Sequence, residues 1–293
     1  LGYISSIENL LVTSFHKQYF PHGSELPALE INDHASDIPF NQTLKVFSID
    51  DALTTEIDDA FSLQATDTGW IVGVHISAPS LNKELLTLAS ERLSTVYYPG
   101  HKITMLPENV IAHYSLDQGK QLPVVSIYFT IDHEFNISHT ESKLEQVLVS
   151  DNLRTENLEQ LFNVENMAQD HGYPYEAELK LLHQFALKLE EGRGKASVNQ
   201  LSVDYNFSFA EDGKVVIKPR LRGNPIDKLV SELMIHANGS WGRMLTNAFV
   251  PAIYRVKQPM QPVTMTLTPN SHTGLNVDYY TWATSPLRRA VDL

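Results

Sequence analysis

The stretch SIDDALTTEIDDAF, residues 48–61, carries Asp50, Asp51, Glu56, Asp58 and Asp59, with no lysine or arginine between them. The alternating apolar residues of the preceding LKVFSI read as a strand, so Asp50 ends that strand and Glu56, Asp58 and Asp59 follow on a loop. Like charges this close repel, and without a counter-charge some must take up protons. A hard divalent cation such as Mg²⁺ or Mn²⁺ removes the conflict, because it binds carboxylate oxygens and water. A solvated acidic turn is the alternative. A calcium loop of the EF-hand type is disfavoured, since glycine is missing from the sharp-turn position.

Outward from this stretch, WIVGVHI and VVSIYFTI read as further strands, and NFSFAEDGKVVIKP reads as a hairpin with an Asp-Gly turn. Leu179, Leu182, Phe185 and Leu189 form a helical stripe that ends at Gly192, and IDKLVSELMIHANGSWGRMLTNAF reads as a second helix. The first forty residues read as a helical lead and a loop rich in Pro, His and Asp. Strands, hairpins and long helices without a regular βαβ repeat favour an α+β fold, with mixed β-sheets packed against the helices.

The 293 residues suffice for a full core, and 42% of them are hydrophobic. A net charge of −13 argues against a nonspecific nucleic-acid binder, although a local basic channel can coexist with an acidic exterior. The chain has no cysteine, hence no disulfide and no thiolate metal site, and a cytoplasmic monomer is the expectation. The start lacks the features of a signal peptide, and no apolar stretch approaches the roughly 20 residues that span a bilayer. The first residue is Leu and the final SPLRRAVDL reads as an interrupted helix, so the chain reads as a piece of something longer.

Six blocks occur together in order: FSIDDALTTEIDDAF, GWIVGVHIS, YYPGHKITMLPENVIAHYSL, KLVSELMIHAN, YRV and YTWATSPLRR. In order and spacing they resemble the RNB catalytic domain of the ribonuclease II and ribonuclease R family. The resemblance divides the chain into a helical lead and linker, residues 1–43, and an RNB domain, residues 44–293, with its C-terminal end truncated. It implies a hydrolase that degrades single-stranded RNA processively from the 3′ end to nucleoside 5′-monophosphates, with Mg²⁺ and two-metal-ion catalysis. It also implies roles for particular residues. Asp50, Glu56, Asp58 and Asp59 fall on the family's four acidic positions, with Asp50 and Asp59 most directly on the metal and Asp58 close to the chemistry. Arg288 falls on the arginine used against the scissile phosphate, and Arg289 is a weaker candidate whose other reading is an ordinary salt bridge. Tyr97 falls on the aromatic that stacks on the terminal base, with Tyr98 next to it. Glu232 is expected near the 3′ end of the RNA.

The chain departs from the family pattern at several points. Glu56 stands where Asp is usual, Ala78 replaces an aspartate, Lys120-Gln121 replaces an Asp-Arg pair, and Trp282 replaces a histidine. The small β-barrel RNA-binding domains of the family have no counterpart in the lead segment. A catalytically impaired RNA-binding relative with the same fold is therefore the alternative to an active nuclease.

Overall fold

A computed structural model describes residues 7–33, 35–98, 101–194, 202–210 and 214–293. Helix α1 (Ile7–Tyr19) leads into strand β1 (Phe40–Asp50), followed by β2 (Asp59–Thr66) and β3 (Gly69–Ser77). Helix α2 (Glu84–Arg92), the short hairpin β4 (Val96–Tyr98) and β5 (His101–Ile103), and helix α3 (Glu108–Tyr114) come next. Two long strands, β6 (Gln121–Asp132) and β7 (Ile137–Arg154), lead into α4 (Thr155–Leu161) and α5 (Glu176–Gly192). The hairpin β8 (Ser202–Phe209) and β9 (Val215–Arg222), helix α6 (Pro225–Asn247) and the small pair β10 (Tyr254–Val256) and β11 (Thr264–Thr266) complete the chain. The expected Asp-Gly turn of the β8–β9 hairpin lies outside the described residues.

Strands β1, β2, β3, β6 and β7 close into a barrel. Each neighbouring pair is antiparallel except β1 and β7, which seal the barrel in parallel and set Asp50 opposite Arg154. Alternation along the strands divides the side chains between two cores. Phe47, Ile49, Phe61, Val74 and Phe129 point outward against helices α5 and α6, while Val46, Ala60, Val124, Tyr128 and Val147 pack on the opposite face, inside the barrel. The interior also takes a polar group. His75 is fully buried, with its two ring nitrogens each 2.8 Å from a serine hydroxyl, Ser126 and Ser62.

The stripe Leu179, Leu182, Phe185 and Leu189 is buried on α5, as its spacing predicts, and the helix ends at Gly192. Helix α6 is capped by Asn224, whose side chain accepts from the Asp227 amide at 2.8 Å, with Pro225 in the first turn. Its buried face, Ile226, Leu229, Leu233, Ala237 and Trp241, closes the same core.

The expectation of a helix through SPLRRAVDL is corrected. The segment forms turns and a 3₁₀ turn, Ala290–Asp292. The reason is long-range pairing of its backbone: the Arg288 carbonyl accepts from Thr95 N at 2.9 Å and the Ala290 amide donates to Leu93 O at 2.9 Å. Those groups are not free to build a helix.

Candidate active site

Asp50 is the last residue of β1 and Asp59 the first of β2, so barrel geometry brings the two ends of the acidic stretch together. The residues between them are pinned by the rest of the chain. The Ile57 amide donates to Ser115 Oγ at 3.1 Å, and the Asp58 carbonyl accepts from Ser77 N at 2.9 Å. Thr155 Oγ1 donates to Asp51 Oδ1 at 2.7 Å. Glu56 and Asp58 are 4% and 2% exposed, which rules out a solvated acidic turn.

The four acids do not share one set of partners. Asp58 is held by the segment that carries Arg288: its Oδ1 accepts from the Leu287 amide at 2.8 Å and its Oδ2 from Arg288 Nε at 2.9 Å. Burial pushes the Asp58 carboxyl up to about 7, against the pull of Arg288. Glu56 is held elsewhere. Its Oε1 accepts from Thr95 Oγ1 at 2.8 Å, and its Oε2 from Lys102 Nζ at 2.7 Å and from the Tyr97 hydroxyl at 3.3 Å. The sequence reading of Glu56 as a metal ligand therefore meets an obstacle, since a lysine already neutralises it.

Asp50 and Asp59 remain, near enough for the charge of Asp50 to act on Asp59. Asp50 Oδ2 is buried with no hydrogen-bond partner, and burial pushes the Asp50 carboxyl up to about 6. Burial, with the negative charges of Asp50 and Asp58, raises Asp59 well above the usual carboxylate range. Two neighbouring carboxylates and one orphaned oxygen are what a hard cation relieves, so the chemistry of Asp50 and Asp59 fits a divalent ion. Among the described residues no group of three acidic or histidine side chains is arranged to hold a metal by itself.

Other expected site residues fall into distinct surroundings. Arg288 Nη2 donates to Ser285 Oγ at 2.7 Å, and the side chain is 41% exposed. Arg289 bonds Asp292 at 2.6 Å, and its guanidinium lies over the Trp282 ring at 4.3 Å, as does that of Arg255 at 4.8 Å. It is thus in the salt bridge that the sequence offered as its other reading. Tyr97 is 59% exposed beside Glu56, whereas Tyr98 packs against Phe15 and His16 of α1. Glu232 is buried on α6 in an ion pair with Arg193, 2.6 Å away, at the end of α5. Its charged neighbours are Arg193, Glu190 and Lys228, not the acidic stretch. Thr95 and Lys102 were not singled out in the sequence. Their closeness to Glu56 depends on where the β4–β5 hairpin lies, and no local spacing signals it.

The RNB domain family model matches residues 41–267. The chain belongs to the RNB domain family. This RNB domain is similar over 285 residues, at 26% identity, to a ribonuclease of Synechocystis, covering 86% of this chain and 41% of the relative. Its similarity to exoribonuclease 2 of Actinobacillus pleuropneumoniae is 29% over 242 residues, covering 75% of this chain and 35% of that enzyme. The chain thus spans about two-fifths or less of the length of these relatives. In fold it resembles the apo form of Mycoplasma genitalium RNase R, with TM-score 0.75, 18% identity, and coverage of 96% of this chain and 55% of that one. It resembles yeast Ssd1, described as a pseudonuclease, equally well, with TM-score 0.76, 15% identity, and coverage of 99% and 45%. Fold alone therefore does not decide activity. Arg288 lies beyond the residues that the family model matches, and its place at the site rests on its bond to Asp58. No helix of the described residues is long and apolar enough to cross a membrane.

Proposed function

We propose that this RNB domain is the catalytic core of a divalent-metal-dependent exoribonuclease. It removes nucleotides processively from the 3′ end of single-stranded RNA and releases nucleoside 5′-monophosphates, with Mg²⁺ as the ion and Mn²⁺ as a substitute. The observation that carries this reading is the Asp58–Arg288 bond beside Asp59 and the orphaned oxygen of Asp50. A pseudonuclease has no need to keep half-buried carboxylates under mutual repulsion. Their retention is costly unless an ion relieves it.

Asp50 and Asp59 would hold the ion, which when bound supplies Lewis-acid polarisation of the phosphate and acidifies the attacking water. Asp58 accepts from both Arg288 Nε and the Leu287 amide, so it fixes the plane of the guanidinium. Ser285 takes Nη2, which leaves the Nη1 edge of a part-exposed arginine for phosphate oxygens. A guanidinium stays charged at any working pH, so it can stabilise the charge that builds on the phosphate in the transition state. Tyr97, an exposed aromatic beside Glu56, is suited to stacking on a terminal base.

The test is a time course on a 5′-labelled single-stranded RNA, in Mg²⁺ or EDTA, with the wild-type chain and Asp59→Asn. The expected result is a ladder that shrinks from the 3′ end, abolished by EDTA and by the substitution. RNA that stays intact in every lane while still binding would replace this reading with that of a binding-only relative.

A further inference from the structure

We propose that this centre takes one divalent cation, on Asp50 and Asp59, and that the Lys102 ammonium supplies on Glu56 the positive charge that a second ion would bring. The inference deepens the functional reading above, on which it rests for the identity of the site.

Glu56 is the starting point. It is buried, and both of its oxygens are occupied by donors: Thr95 Oγ1 on one, Lys102 Nζ and the Tyr97 hydroxyl on the other. Thr95 is itself fixed, since its hydroxyl accepts from the Met105 amide at 3.1 Å and its amide donates to the Arg288 carbonyl at 2.9 Å. For Glu56 to turn toward an ion it would have to break a buried, charge-assisted bond and strand its partners.

Charge counting leads to the same place. Asp50, Glu56, Asp58 and Asp59 carry four negative charges when ionised. Lys102 on Glu56 and Arg288 on Asp58, in direct ion pairs, cancel two of them. The two that remain, on Asp50 and Asp59, match one divalent cation. Arg154 and Asp51, whose opposite charges both reach Asp50, oppose each other there and leave that count as it stands.

The test counts Mn²⁺ by EPR and equilibrium dialysis on the full chain, alone and with a 2′-O-methyl single-stranded RNA oligonucleotide. The wild type should bind one Mn²⁺ in both conditions, without the spectrum of a spin-coupled pair. Lys102→Met should admit a second, coupled Mn²⁺ once the RNA is present, and Lys102→Arg should stay at one. Glu56→Gln, nearly isosteric, should leave the single site within about threefold of its wild-type affinity. Two coupled ions in the wild type, a count of one in Lys102→Met, or a tenfold or larger loss of affinity in Glu56→Gln would each overturn the proposal. The count does not depend on turnover. Intact RNA under Mg²⁺ with one bound Mn²⁺ would remove the nuclease reading and leave the one-ion centre. Degraded RNA with two coupled Mn²⁺ would do the reverse.

Discussion

Tyr97 and Tyr98 are adjacent in sequence and have the same chemistry, yet the fold gives them different surroundings. Tyr98 is covered by Phe15 and His16 of α1, with its hydroxyl 3.5 Å from His16 Nε2. Tyr97 stands 59% exposed, its hydroxyl on Glu56. Base stacking on an aromatic is worth roughly 1–3 kcal/mol, or about fivefold to a hundredfold in affinity. Tyr97→Ala is therefore expected to weaken single-stranded RNA binding by about tenfold, read by fluorescence anisotropy in EDTA. Tyr97→Phe should stay close to wild type, and Tyr98→Ala should lower thermal stability more than affinity. An equal loss of affinity at both positions would refute the assignment of Tyr97. At this scale the acids were legible because they crowd one short stretch, and Arg288 because its block resembles the family's. Lys102, Thr95 and Arg193 were not. Each acts on a residue far from it in the chain, and nothing next to it announces the partner.

Elements were legible where they meet a core. The stripe on α5 is a direct imprint of burial on one face, whereas β3 and β6 meet a core on each side and read as strands from their apolar runs. Strand β7 was missed because its first half, ISHTESKL, is largely exposed and polar, so no alternation marks it, and its parallel pairing with β1 is a property of the closed barrel. The barrel interior also explains Gly73. A Cβ there would lie 2.4 Å from Ser62 Oγ and 2.8 Å from His75 Nε2, inside the polar cluster that the interior buries. Gly73→Ala should force these groups apart. Overpacking of this kind costs about 1–3 kcal/mol, and here it would also disturb two buried hydrogen bonds. The expected outcome is a lower urea midpoint with an unchanged m-value. A midpoint equal to wild type would mean that the interior has slack the contacts do not suggest.

Over the whole molecule, protonation links the fold to pH, and His75 gives a way to isolate one contribution. Its ring is fully buried between Ser62 and Ser126 with the Tyr128 ring beside it, and among the described residues the formal charge that acts on it is that of Glu145. Burial lowers its pKa to about 4, and the negative charge of Glu145 only partly opposes this. The unfolded chain titrates near the ordinary histidine value of about 6.5. Between these values the unfolded state binds a proton that the folded state does not, so stability rises with pH across this window. Above about pH 6.5 the histidine costs nothing. As pH falls toward 5 it costs roughly 2 kcal/mol, growing until the folded value near 4 is passed. Asp50 and Asp58 slope the other way, because their raised values favour the protonated fold at low pH. Their contribution is common to the wild type and a His75 variant, so it cancels in the difference. His75→Gln keeps groups able to bond both serines and removes the titration. Its stability relative to wild type should therefore improve by about 2 kcal/mol between pH 7.5 and pH 5, measured by urea denaturation in EDTA. A difference that does not change with pH would mean that His75 takes up its proton inside the barrel, with Glu145 as its counter-ion, and that the interior is far less dry than its serine-bound ring implies.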